Sequence, residues 1–106
     1  MANNYKNSKV DLTSTSITTL YTCPASTTAI MKSILVSDDS GSGDTITLTI
    51  TSGSDVFSLY KVKAVGANGT VELLTAPLVV QASEILKVTA ATANRLHVVA
   101  SYLEIT

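Results

Sequence analysis

The sequence predicts an all-β protein, an antiparallel β-sandwich or jelly-roll-like fold of about eight short strands. Three observations carry that expectation. Apolar residues recur with a period of two, most cleanly in TITLTIT at 45–51, where Ile46, Leu48 and Ile50 share one side and the threonines at 45, 47, 49 and 51 the other. Turn residues punctuate the chain at short intervals: Gly41 and Gly43, then SGSD at 52–55, GANG at 66–69 and Pro77. Between these signals no stretch has the spacing of an amphipathic helix.

Taken in order, ITTLYTC at 17–23 is the first strand of the domain. TAIMKSILVS at 28–37 is a mostly apolar run, rich in Ile and broken by Lys32, that suits the middle of a sheet. The 45–51 strand follows. DVFSLYKVKAV at 55–65 alternates less cleanly, with Val56, Tyr60 and Val62 on one side and Phe57, Leu59, Lys61 and Lys63 on the other. TVELL at 70–74, LVV at 78–80 and ILKVTAA at 85–91 each fit a strand. RLHVVASYLEI at 95–105 closes the set, placing Leu96, Val98, Ala100 and Tyr102 on one face and His97 on the opposite one. Residues 17–106 thus read as a single sandwich domain. Residues 1–16 are polar and read as an N-terminal arm, either frayed or ordered by lying across a neighbouring subunit with Tyr5 and Val10 as anchors.

Charged residues make up 14% of the 106-residue chain, against about 25% in a typical soluble domain. Serine and threonine fill the difference, a neutral and weakly hydrated surface suited to packing against copies of the same chain or a partner. A net charge of −1 with scattered basic residues argues against a nucleic-acid binder, which needs clustered Lys and Arg. No apolar window reaches membrane-spanning length, and no basic-then-apolar leader opens the chain, so a soluble protein starting at Met1 or Ala2 is expected. The lone Cys23 has no disulfide partner within the chain and fits synthesis in a reducing cytoplasm.

The segment that most resembles a chemical site is SDDSGSGDT at 37–45. A calcium loop of EF-hand type needs a bidentate carboxylate at its twelfth position. Counting from Asp38 or Asp39 places Thr49 or Ile50 there, inside a strand, so a turn is expected. One His and one Cys cannot build a ligand cluster, and Cys23, before Pro24 and without a cationic neighbour, reads as a small buried hydrophobe. No catalytic residue, metal site or cofactor is expected, and the chain reads as a non-enzyme. A sugar platform would have to be built from Tyr5, Tyr21, Tyr60 or Tyr102, since the chain has no Trp and one Phe.

LYTCPASTTAIMKSILVSDDSGSGDTITLTI at 20–50 and PLVVQASEILKVTAATANRLHVVASYLEI at 77–105 resemble a pattern in small virion structural proteins of tailed bacteriophages. There a segment like LYTxPA…TTAIxKSI leads into a Ser/Gly-rich turn and an alternating strand, and a corner of AGE type follows later. Cys23 stands where that pattern has a small aliphatic residue, and Ser83 where it has the glycine of the corner, a position at which serine is less accommodating. The resemblance implies a capsid decoration, or cement, protein on the outer lattice. Such a protein would be a homo-oligomer, with a trimer favoured, would bind the major capsid protein or another virion protein, and would be made in the bacterial host cytoplasm. Its expected contact residues are Tyr5, Val10, Tyr21, Tyr60, His97 and Tyr102. A tail, baseplate or fibre-associated protein and a non-catalytic module for host surface glycans stand as alternatives.

Overall fold

A computed structural model describes residues 2–106. Nine strands run β1 (Asn3–Asp11), β2 (Thr18–Thr22), β3 (Thr28–Asp38), β4 (Asp44–Ser52), β5 (Asp55–Val65), β6 (Thr70–Glu72), β7 (Leu78–Val80), β8 (Ile85–Ala90) and β9 (Leu96–Ile105), with no helix among the described residues. They form two antiparallel sheets. Sheet A has the order β1-β9-β3-β6, with β7 also on β3, and sheet B the order β2-β8-β4-β5. The pairs β1 with β9, β2 with β8, β3 with β6 and β7, and β4 with β5 nest inside one another along the chain. Successive pairs alternate between sheets, so a single long ribbon is rolled into a jelly-roll sandwich. β6 and β7 are two pieces of one interrupted strand: they pair with Leu35–Ser37 and Ala29–Met31 of β3, and Pro77, which cannot donate to a ladder, lies in the gap.

The inner faces meet in one core that includes Met31, Ile34, Ile46, Leu48, Leu86 and Leu96, all under 2% exposed. The β3 run fails to alternate in sequence because it holds a bulge. Met31 pairs with Tyr102 and Ser33 with Ser101, leaving Lys32 as the extra residue. Ala29 and Met31 before the bulge, and Ile34 and Val36 after it, all point inward. Without it one of these sets would face solvent.

β5 departs from the expected two-sided pattern for the same reason. Its register on β4 shifts twice, between Ile46 and Leu48 and between Leu48 and Thr49. Tyr60 lies opposite Leu48 and packs on the core, Phe57 lies opposite Ile50 yet stays 54% exposed, and Val56 lies opposite Thr51 and Ser58 opposite Thr49. Val62 takes a φ of 56°, which a β-branched residue adopts only under constraint, and its N–H donates to Thr47 Oγ1 at 3.1 Å.

The N-terminal segment differs from expectation. Asn3–Asp11 is not a detached arm but the edge strand of sheet A, in unbroken register with β9 from Asn3 opposite Ile105 to Asp11 opposite His97. Ala2 and Thr106 exchange both backbone bonds, at 3.2 and 3.0 Å. Its polar sequence hid the strand because its stabilisation comes from the backbone ladder and from three residues that face inward, Lys6, Ser8 and Val10, two of them polar.

Candidate functional site

The 37–45 segment is a turn organised by a buried carboxylate. Asp38, 3% exposed at the end of β3, accepts from Ser40 N at 2.7 Å, from Ser40 Oγ at 2.5 Å and from Gly43 N. The Ser40 hydroxyl foremost, then the two amides, hold its carboxyl below the usual range against the opposing effect of burial. Gly43 has φ +73° and a Cβ there would stand 3.2 Å from Val65 O, so the position needs glycine. Among the described residues no three His, Cys, Asp or Glu side chains converge as metal ligands.

A second polar cluster ties β1 to the core. Glu104, 5% exposed on β9, accepts from Tyr21 Oη at 2.5 Å and pairs with Lys6 Nζ at 2.8 Å. Lys6 and Tyr21 together hold the Glu104 carboxyl below its ordinary value, while burial and then the Glu104 bond push the Tyr21 phenol far up. The Tyr21 and Tyr102 rings pack at 4.4 Å, and Tyr102 Oη bonds Ser8 Oγ at 3.0 Å. These are structural roles. Tyr21 and Tyr102, expected at a contact surface, are each 6% exposed because ring packing and hydroxyl bonding consume both ends of the side chain.

Of the other expected contact residues, Val10 and Tyr60 pack half-buried against the core and Tyr5 is 78% exposed. His97 lies half-exposed at one end of sheet A, with Nε2 3.2 Å from Asp11 Oδ1 and Nδ1 3.8 Å from Asp39 Oδ2. The four tyrosines therefore form no exposed aromatic platform. Cys23 is buried and free, its thiol directed at Thr27 O at 3.3 Å.

What the strand pairing builds instead is an outer face on sheet A that carries one apolar row among mixed and polar ones. Rows of directly opposed residues cross it: Tyr5, Leu103, Ile30 and Val79 in one, Asn7, Ser101 and Ser33 in the next with the exposed bulge residue Lys32 beside them, then Lys9, Val99, Leu35 and Glu72, then Asp11, His97, Ser37 and Thr70. Tyr5, Val79 and Leu35 are 78%, 50% and 40% exposed. The outer face of sheet B is different in kind. Its rows read Thr19, Lys87, Thr49 and Ser58, then Thr22, Ile85, Thr51 and Val56. A second apolar surface lies along the free edge of β5, where Val56, Phe57, Leu59 and Val62 are all exposed. Exposed apolar side chains gathered on one face or edge of a small domain mark interaction surfaces. The period-two pattern hinted at the sheet A face only faintly, because each of its rows draws residues from strands far apart in sequence.

No family model matches the chain, and no curated protein matches it. Among solved structures it is similar to a pentameric capsid protein isolated from metagenomic phage sequences, with 21% identity and a TM-score of 0.49 over 94% of this chain. The chain spans 59% of that protein's length. At this identity and TM-score the similarity bears on neither role nor symmetry.

Proposed function

We propose that the protein is a non-enzymatic structural component of a bacteriophage virion, a capsid decoration protein that assembles with copies of itself and with the major capsid protein. The observation that carries this reading is the set of exposed apolar side chains on sheet A (Tyr5, Leu35 and Val79) and along the β5 edge (Val56, Phe57, Leu59 and Val62), on a charge-poor jelly roll whose polar clusters serve folding. The resemblance of residues 20–50 and 77–105 to small phage virion proteins points the same way. The mechanism is cohesive: apolar area buried between neighbouring subunits, at roughly 25 cal/mol per Å², must be re-exposed before the shell can open. One small contact is weak, but repetition over a lattice multiplies it.

Quantitative mass spectrometry of purified virions tests the reading. Copies close to one per major capsid subunit, or a simple lattice fraction of that, are expected. A few copies per particle would move the protein to the tail, and absence from the particle would overturn the structural role altogether.

A further inference from the structure

We propose that the free edge of β1 is the contact by which two copies of this chain associate, their β1 strands pairing antiparallel about a twofold axis at Asn7, so that sheet A runs on from one copy into the other. The evidence begins with the four edges of the two sheets. Free edges invite pairing with another chain, and folded proteins block them with short strands, bulges, proline or lysine. β6 and β7 are three residues each, with Pro77 in the gap between them. β2 is five residues long and shifts register between Thr19 and Tyr21. β5 shifts register twice, takes a positive φ at Val62 and carries Lys61 and Lys63. β1 alone is long and straight: nine residues in unbroken register on β9, without proline, glycine or bulge, and with no described strand on its other side. Its own lysines are turned elsewhere, Lys6 to Glu104 at 2.8 Å and Lys9 to Asn7 Oδ1 at 3.0 Å.

The ladder with β9 decides which backbone groups are free. Ala2 and Thr106 exchange both bonds, and Leu12 N donates to Leu96 O at 3.1 Å, so in the antiparallel alternation the even residues of β1 bond β9. The N–H and C=O groups of Asn3, Tyr5, Asn7, Lys9 and Asp11 therefore point out along the edge. A second β1 can bond them only where odd residues stand opposite odd ones, and the pairing centred on Asn7 is the one that overlaps all of Asn3–Asp11. On the outer face it sets Asn7 opposite the partner's Asn7, Tyr5 opposite the partner's Lys9 and Asn3 opposite the partner's Asp11. On the inner face Lys6 meets the partner's Ser8, and Asn4 the partner's Val10. No charge lies directly opposite a like charge, and Lys9 reaches the partner's exposed Tyr5 ring. The two Lys6 side chains stand diagonally across the axis, each held by its own Glu104. Lys32, two strands in from the edge, is five strand spacings from its copy, ~24 Å. Centring on Lys6 would oppose it to the partner's Lys6, and centring on Ser8 would leave Asn3 and Asn4 beyond the partner's β1. The three inner odd pairs exchange about six backbone bonds; at the ends Asp11 O is already taken by Thr13 N at 2.9 Å. An edge ladder buries less surface than a standard interface, so reversible association is the expected behaviour. The inference does not depend on where in a particle the protein sits, so a failed virion assay leaves it standing.

The test is sedimentation velocity of the full chain over a concentration series, with amide hydrogen exchange read by NMR on the same samples. The expected result is a mass-doubling equilibrium in which the amides of Tyr5, Asn7 and Lys9, open to solvent in the single chain, slow in proportion to the doubled fraction. The amides of Lys6, Ser8 and Val10 are bonded to β9 in both states and report only on opening of the fold. Asn7→Pro removes two bonds at the axis, one donated by each copy. The lost N–H is one that β9 does not use, so the fold should persist. Association should weaken at least ~10-fold. Tyr5→Pro, nearer the strand end, repeats the test should Asn7→Pro fail to fold. Phe57→Ser, on the β5 edge, should leave association unchanged. A chain that stays monomeric at all concentrations, a doubled species whose odd-numbered amides exchange as freely as before, one indifferent to proline at these positions, or one abolished by Phe57→Ser would overturn the proposal.

Discussion

Replacing Glu104 with glutamine keeps the shape of the side chain and removes its charge from a site where two partners depend on it. Tyr21 Oη donates to the carboxylate at 2.5 Å with both residues almost wholly buried. A hydrogen bond to a charged group contributes about 1.5–3 kcal/mol. Glutamine retains one acceptor but turns an amide N–H₂ toward Lys6 or Tyr21, so the lower part of that range, about 1.5–2 kcal/mol, is the expected loss. Lys6 is half in water and adds little. For a domain of this size the loss corresponds to a Tm lower by roughly 6–15 °C. Urea titrations of Glu104→Gln, Tyr21→Phe and the double variant measure it, and the double-mutant cycle should return a coupling of about 1 kcal/mol. The pH dependence supplies a second readout. The folded Glu104 carboxyl titrates below its ordinary 4.5, so between the two values the unfolded chain holds a proton that the folded chain does not. Stability from this group is complete above 4.5 and is lost as pH falls through the folded value. The difference between wild type and Glu104→Gln should therefore shrink in acid. A variant within ~0.5 kcal/mol of wild type at neutral pH, the size of an ordinary surface substitution, would refute the role assigned to this cluster.

Ser83 sits at φ 70° in the turn between Gln81 and Glu84, where an L-residue in the left-handed region costs roughly 1–2 kcal/mol. Ser83→Gly, offset by the entropy of the freer unfolded chain, should gain about 0.5–1 kcal/mol by thermal unfolding; a destabilised variant would contradict that backbone reading. Because Asp38 is fully engaged by Ser40 and Gly43, millimolar calcium should leave the Tm unchanged, and a rise of several degrees would show that the 37–45 turn is a cation site after all.

Much of the architecture is local and therefore legible in the sequence. Strict alternation places Ile46 and Leu48 in the core, and the 96–102 alternation places Leu96, Val98, Ala100 and Tyr102 there. The glycine and aspartate of the 37–45 segment specify a turn through their own backbone chemistry. Ser83, standing where the phage pattern has glycine, occupies a left-handed position. The failures have separate physical origins. A bulge resets the parity of a strand without a sequence mark, as at Lys32 and twice along β5, so the faces of 55–65 could not be assigned by counting.

A strand held mainly by its backbone ladder has no apolar signature, which is why Asn3–Asp11 read as an arm. Tyr21 and Tyr102 looked available as contact residues until Glu104 and Ser8, each from another strand, proved to be their partners. Secondary structure and turn chemistry were thus set by neighbours in sequence. The row of Tyr5, Leu103, Ile30 and Val79, and the opposed charges of Lys9 and Glu72, exist only once the rolled ribbon brings four separate segments into register. Cross-strand pairing is a long-range property, so the surface by which this protein would act belongs to the tertiary structure alone.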